Sequence, residues 1–404
     1  MIKLEENKIN TFHVKLLYLY KFMSQCMPIY AFYTILFIQR AMSVTDIAVL
    51  LALWSVFTIV FEVPSGVLAD RWNRRNMLAI AAALQGLCFT IWFFSYSFLM
   101  FAIGFVFWAI AGAFISGTEE GLTYDNLKCD GNEEDFARVY GKARFFANMG
   151  TVTGVVSGGI IASFVNIESI ALISAIICFV NVIIVLQIRE KNYYSERLDE
   201  ESQEFFKTFQ EAVIFLKGNR GALISIMFLV LFISLGEYMD EFDALIVYDF
   251  KLSNIWVSVI LAVRFVFIAL GDILAPIVQK RITSVKQIFL FNGLACIFLV
   301  MFTLFWHQYA LIILGLGLMA MAISEILLVD ALQNRINEEG RATVMSFYGM
   351  GQNVVMICFS LVYALLTGIF TLQQVYMIIS VYGVIGGVSF YFCFNIMKNG
   401  IKKA

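Results

Sequence analysis

Twelve stretches of mostly apolar residues, separated by short polar turns, fill most of the chain. They cover 16–39, 44–69, 77–97, 99–125, 145–165, 169–188, 221–248, 254–279, 287–306, 309–332, 343–369 and 373–396. A helix rises about 1.5 Å per residue and needs about 20 apolar residues to cross a bilayer. The pattern therefore predicts twelve membrane-spanning helices and an all-α membrane fold. Several runs exceed that length, so their polar ends project from the membrane or the helices tilt.

One long polar connection, 189–220, falls between the sixth and seventh runs. Within it Phe205, Phe206, Phe209, Val213 and Leu216 recur at helical spacing, with Glu204, Lys207 and Glu211 between them. That spacing predicts an amphipathic helix on the inner membrane surface. The chain accordingly divides into a six-helix half (1–190), a cytoplasmic linker (191–220) and a second six-helix half (221–404). The halves repeat with a displacement of 205 residues: "EGLTYD" at 120–125 returns as "EILLVD" at 325–330, "NEE" at 132–134 as "NEE" at 337–339, and Gly66 as Gly271. A parallel six-plus-six repeat places a binding site near the midplane between the halves of a transporter.

Composition agrees, with 61% hydrophobic and only 14% charged residues; a soluble chain carries about 25% charged. Of 28 basic residues, 24 fall in the segments that are cytoplasmic if both termini lie inside, and the outer turns hold Arg40 and Lys251. Basic residues mark the cytoplasmic side, so the sequence predicts a multi-pass protein of the cell membrane with both termini in the cytoplasm. The seven cysteines are scattered without CxxC spacing, which reads as packing. His13 and His307 sit near the ends of their runs without ligand partners, so no metal is implied. No Walker loop, HExxH, GxSxG or Ser-His-Asp set occurs. The sequence points to neither enzyme, cofactor nor nucleic-acid partner, and transport would run on an ion gradient or downhill.

The turn after the second run reads "GVLADRWNRR", residues 66–75. It resembles the loop signature of the major facilitator superfamily, G-x-L-a-D-r-x-G-r-r/k, with Gly66, Leu68, Asp70, Arg71, Arg74 and Arg75 in register. Asn73 replaces the glycine, and asparagine tolerates positive φ well enough to keep a tight turn. The resemblance implies a conformational lock on the cytoplasmic side built on Gly66, Asp70, Arg71, Arg74 and Arg75. Arg341 is the first candidate partner of Asp70 and Arg138 the second.

Residues 141–159, "GKARFFANMGTVTGVVSGG", resemble the fifth-span signature of the drug-exporting members of that superfamily. Gly141, Gly150, Gly154, Gly158 and Gly159 match, and Val155 replaces the proline. The resemblance implies export. Glycines at four-residue spacing form a groove for close helix packing, here expected across the halves. The fourth-span arginine usual in proton-coupled exporters is missing from 99–118.

Charges inside spans are costly and need a reason. Arg264 lies ten residues into the eighth run, about 15 Å deep by helical rise, at the midplane. Glu237, Asp240 and Glu241 share a face of the seventh run, with Glu237 the deepest and the favoured partner of Arg264. Asp243 and Asp249 suggest a negative outer mouth. Glu62 lies near the inner end of the second run, and Lys21 can snorkel. Glu119, Glu120, Asp125, Glu325 and Asp330 cluster at the inner ends of the fourth and tenth runs, where Lys142, Arg144 or Arg341 would pair with them. Tyr30, Phe32 and Tyr33, near Pro28, are candidates to line a greasy cavity.

Together these features predict a monomeric secondary transporter that exports small hydrophobic or amphiphilic compounds in exchange for protons, within membrane lipid. An uptake symporter for a small nutrient and a lipid translocase are the alternatives.

Overall fold

The structure, a computed structural model, describes residues 11–116, 118–190, 220–282, 284–333 and 341–401. The amphipathic helix expected in the linker and the second "NEE" lie outside the described residues. So do the side chains of Asp70, Arg71, Glu237 and Arg341.

The described residues hold helices and turns but no strand. In the first part α1 (Thr11–Gln25), α2 (Tyr33–Gln39), α3 (Val44–Arg71), α4 (Arg74–Phe94), α5 (Phe98–Ile115), α6 (Thr118–Cys129), α7 (Phe136–Phe164) and α8 (Ile167–Leu186) follow one another. In the second come α9 (Arg220–Phe228), α10 (Ser234–Asp249), α11 (Asn254–Gln279), α12 (Val285–Leu304), α13 (Leu311–Gln333), α14 (Arg341–Thr367) and α15 (Leu372–Ile401). Among the described residues ten helical stretches are long and apolar enough to cross a membrane, and α14 carries a shorter apolar stretch, Gly351–Thr367. The run 16–39 is instead broken into two helices.

Residues form two compact units, 1–42 with 53–202 and 43–52 with 203–404. The first turns of α3 thus group with the second unit, where the Thr45 and Thr367 hydroxyls lie 3.1 Å apart. Helix starts follow capping rules: Asn166 accepts from Ser169 N, and Ser284 with Gln287 forms a capping box.

The break in the first run has a clear cause. Pro28 has no N–H and disfavours helix before it, and residues Pro28–Ala31 form a short 3-10 turn. Non-helical backbone at this depth survives only where protein satisfies it; Ile29 N donates to Ser174 Oγ at 3.1 Å. Three glycines of the 141–159 pattern, Gly150, Gly154 and Gly158, serve the same break. A Cβ on Gly154 would stand 2.8 Å from Met27 N, one on Gly158 2.8 Å from Pro28 O, and one on Gly150 would overlap Phe22 O. The groove therefore admits the bent first span of its own unit. Gly141 is exposed with nothing near it.

The second unit has a matching irregularity. Residues Leu229–Ile233 form a π turn between α9 and α10, and subtracting 205 from 233 gives the position of Pro28. Beyond each irregularity an aromatic pair repeats at the same displacement: Tyr33 with Phe37, rings 5.6 Å apart, and Tyr238 with Phe242, 5.5 Å apart.

Candidate functional site

Arg264 stands ten residues into α11, about 15 Å along it, and its side chain is only 8% exposed. Its Nη1 pairs with Asp240, and its Nε lies 2.5 Å from Asp243 Oδ2. Asp243 is buried, and the Tyr376 hydroxyl lies 2.8 Å from its Oδ1 and 2.9 Å from Met239 O. Asp240 differs, with a side chain 41% exposed. One guanidinium thus faces two carboxylates, and the ionised trio carries a net charge of −1.

The partners differ from the sequence expectation. Asp243 belongs to the buried trio, not to an outer mouth, and Arg264 meets acids one and two turns beyond Glu237. Helical side chains lean toward the helix N-terminus. Arg264 therefore reaches back toward Asn254, and antiparallel α10 presents Asp240 and Asp243 there. Asp249 accepts from Trp306 Nε1 at 3.1 Å.

Beside the trio lies a cleft of about 230 Å³ between α11 and α13. Its walls are largely apolar, with Val259, Leu314, Trp256 and Phe267, while Asp243 and Arg264 supply charge on one side.

In the first unit the charged turn is tied down locally. Asn73 has φ −71° and ψ 113° and caps α4, its side chain accepting from Asn76 N at 2.9 Å. Asparagine replaces glycine here as a helix cap, not as the positive-φ residue the sequence suggested. The Glu190 carboxylate accepts from Arg74 N at 2.8 Å and Arg75 N at 3.1 Å, so the first N–H groups of α4 are satisfied. Arg74 Nη1 reaches Asp125 Oδ2 at 2.8 Å, both side chains largely buried. Gln279, 205 residues after Arg74, bonds Asp330, 205 after Asp125, also at 2.8 Å. The repeat is thus a repeated contact as well as a repeated string.

A Cβ on Gly121 would overlap the Arg74 guanidinium. Gly121→Ala is expected to displace that flexible head and lower unfolding stability by about 1 kcal/mol, read as a reduced melting temperature. Arg74→Ala in the same background should remove the difference.

Glu119 and Glu62 have contacts that the sequence did not suggest. Glu119, 8% exposed, pairs with Lys21 and accepts from Tyr20 Oη at 2.5 Å. Lys21 therefore does not snorkel but balances a buried acid. Glu62 is exposed, with Ser116 Oγ donating to it at 3.4 Å. Phe32 and Tyr33 are buried core, whereas Tyr30 is partly exposed. His13 Nδ1 accepts from Arg189 N.

Apolar helices in two units that repeat each other at a displacement of 205 residues, with a charged cluster deep in a span, are the build of a membrane transporter. Residues 17–359 match the sequence profile of the Major Facilitator Superfamily, and the chain belongs to that family. Solved structures show the same fold. A variant of the nucleoside transporter NupG has TM-score 0.78 at 15% identity, covering 94% of this chain and 98% of that one. The POT family transporter PepTSo has TM-score 0.71 at 11% identity, covering 96% and 98%. A bacterial homolog of the human lysosomal transporter Spinster has TM-score 0.70 at 15% identity, covering 95% and 96%. No curated protein sequence matches.

Proposed function

We propose that the chain is a proton-coupled secondary transporter that carries small hydrophobic or amphiphilic compounds outward by antiport. The observation that carries this reading is the trio Arg264, Asp240 and Asp243 beside an apolar cleft. Two carboxylates against one guanidinium leave one negative charge uncompensated beside an apolar cleft, which is costly, and uptake of one proton removes it. Asp243 is held by two donors, while Asp240 is open and held by one, so Asp240 is the carrier. Asp243 keeps Arg264 in place. Glu237, Glu241 and Glu62 are secondary candidates for charge in the transport path, and Asp70 with Arg341 is the proposed cytoplasmic lock. The protein acts as a monomer in the cell membrane with both termini inside.

Outward direction rests on the glycine pattern of α7, which resembles that of exporters. A second reading, uptake by symport, is favoured by the fold shared with the nucleoside transporter NupG. Accumulation of ethidium in cells with and without the protein separates them. Export predicts lower accumulation in expressing cells, restored by an uncoupler and by Asp240→Asn. Uptake predicts higher accumulation in expressing cells, and no difference in either direction contradicts ethidium as cargo.

A further inference from the structure

The first unit gathers a second set of side chains at one depth. Trp54 is ten residues from the start of α3, Trp108 ten from the start of α5, and Tyr30 ten before Arg40. At about 1.5 Å per residue each lies about 15 Å from the same end of its span. Gln85 of α4 joins them, donating to Tyr30 Oη at a long 3.4 Å. Tyr30 is carried on the 3-10 turn that breaks the first span.

Tyr30 and Trp108 stack nearly parallel, 7° apart in plane with centroids 5.4 Å apart. Trp54 lies against Trp108 at 6.3 Å. All three rings stay partly exposed, whereas Phe89 and Trp92 behind them are fully buried. A packed aromatic core would show rings of the second kind only. The Trp54 indole N–H is buried and has no acceptor among the described residues. A donor left unmade in the interior is costly, and native structures rarely tolerate one without a use. The named side chains around it carry no charge.

We propose that Tyr30, Trp54, Trp108 and Gln85 form a recognition site for a flat, neutral heteroaromatic ring. Trp108 is already stacked with both Tyr30 and Phe105, so the ring stacks on the face of Tyr30 turned away from Trp108, since aromatic faces stack on π systems with little regard for sequence or substituent. A ring nitrogen or exocyclic oxygen of the substrate takes the Trp54 N–H. The inference rests on the reading of the chain as a transporter of small organic molecules and names the part of the cargo that is recognised.

The matched probes 6-quinolinemethanol and 2-naphthalenemethanol share a shape and differ in one ring nitrogen. Titration calorimetry on the full chain in lipid nanodiscs, with empty nanodiscs as the partition control, is expected to show saturable binding of both. The quinoline should bind about tenfold tighter, the worth of one hydrogen bond. Trp54→Phe keeps a ring and loses the donor, so it should erase that preference while melting like the parent. Tyr30→Ala should weaken both probes about tenfold. If that variant folds poorly, the Trp54→Phe comparison decides alone. Heats equal to those of empty nanodiscs, or a quinoline preference that survives in Trp54→Phe, would overturn the site. Such a failure leaves proton coupling untouched, because coupling is read separately through Asp240.

Discussion

Arg264→Leu is expected to abolish gradient-driven transport and to destabilise the protein by about 3–5 kcal/mol. The substitution leaves Asp240 and Asp243 facing each other without the guanidinium that both contact. Removing one side of a buried ion cluster strands the other, which costs more than never having the charges. The triple variant Arg264→Leu with Asp240→Asn and Asp243→Asn should therefore recover most of the melting temperature. It should not recover accumulation against a gradient, because no proton carrier remains. Thermal unfolding and uptake into proteoliposomes, measured on the same preparations, check both halves. A triple variant that folds and still accumulates substrate would reduce the trio to scaffolding.

Gly154→Leu is expected to give the other large effect. Its Cβ would stand 2.8 Å from Met27 N and 3.1 Å from Met27 O, both backbone atoms of the broken first span. Backbone cannot step aside as a side-chain tip can, so α7 must separate from α1. Overpacking of this kind costs about 1–3 kcal/mol and sometimes more, and folded yield in the membrane should fall sharply. Gly141→Leu makes the contrast. That glycine belongs to the same pattern, yet it is exposed with nothing within 4 Å, and its replacement should not lower stability, since leucine is the better helix former by about 0.5–1 kcal/mol. Equal damage at both positions would mean the pattern acts as a unit for a reason other than packing.

The fold was legible because lipid imposes a coarse rule. Apolar runs of about 20 residues must be helices, and the repeat of 205 residues was visible in strings such as "EGLTYD" and "EILLVD". The break at Pro28 was marked by one of only three prolines, yet the proline alone did not say that the helix would restart within a few residues. The π turn at Leu229–Ile233 has no residue signal at all, being a run of ordinary apolar side chains.

The site was legible to the nearest helix but not to the partner. Arg264 stood out because charge at the midplane is rare, and Asp240 was among the acids named. Asp243 was misassigned because depth was counted from backbone position. A long side chain that leans toward its N-terminus shifts the meeting point by one or two helical turns. Tyr376 carries no sequence signal, being one of 17 tyrosines. Asn73 was read through φ because the motif has glycine there, while its older role as a helix cap explains the residue better. Lys21 and Glu119 are 98 positions apart, and no local pattern connects them. The convergence of Tyr30, Trp54 and Trp108 was within reach, since each lies ten residues from a turn, but 40 phenylalanines and 17 tyrosines hide three rings well.

The account depends most on Asp240 as the proton carrier. The direct measurement is proton movement into or out of proteoliposomes, followed with an entrapped pH-sensitive dye after a transported substrate is added without an imposed gradient. The wild-type protein is predicted to move protons with substrate, and Asp240→Asn to exchange substrate across the membrane while the dye signal stays flat. Proton movement of equal size in the wild type and in Asp240→Asn would contradict the account.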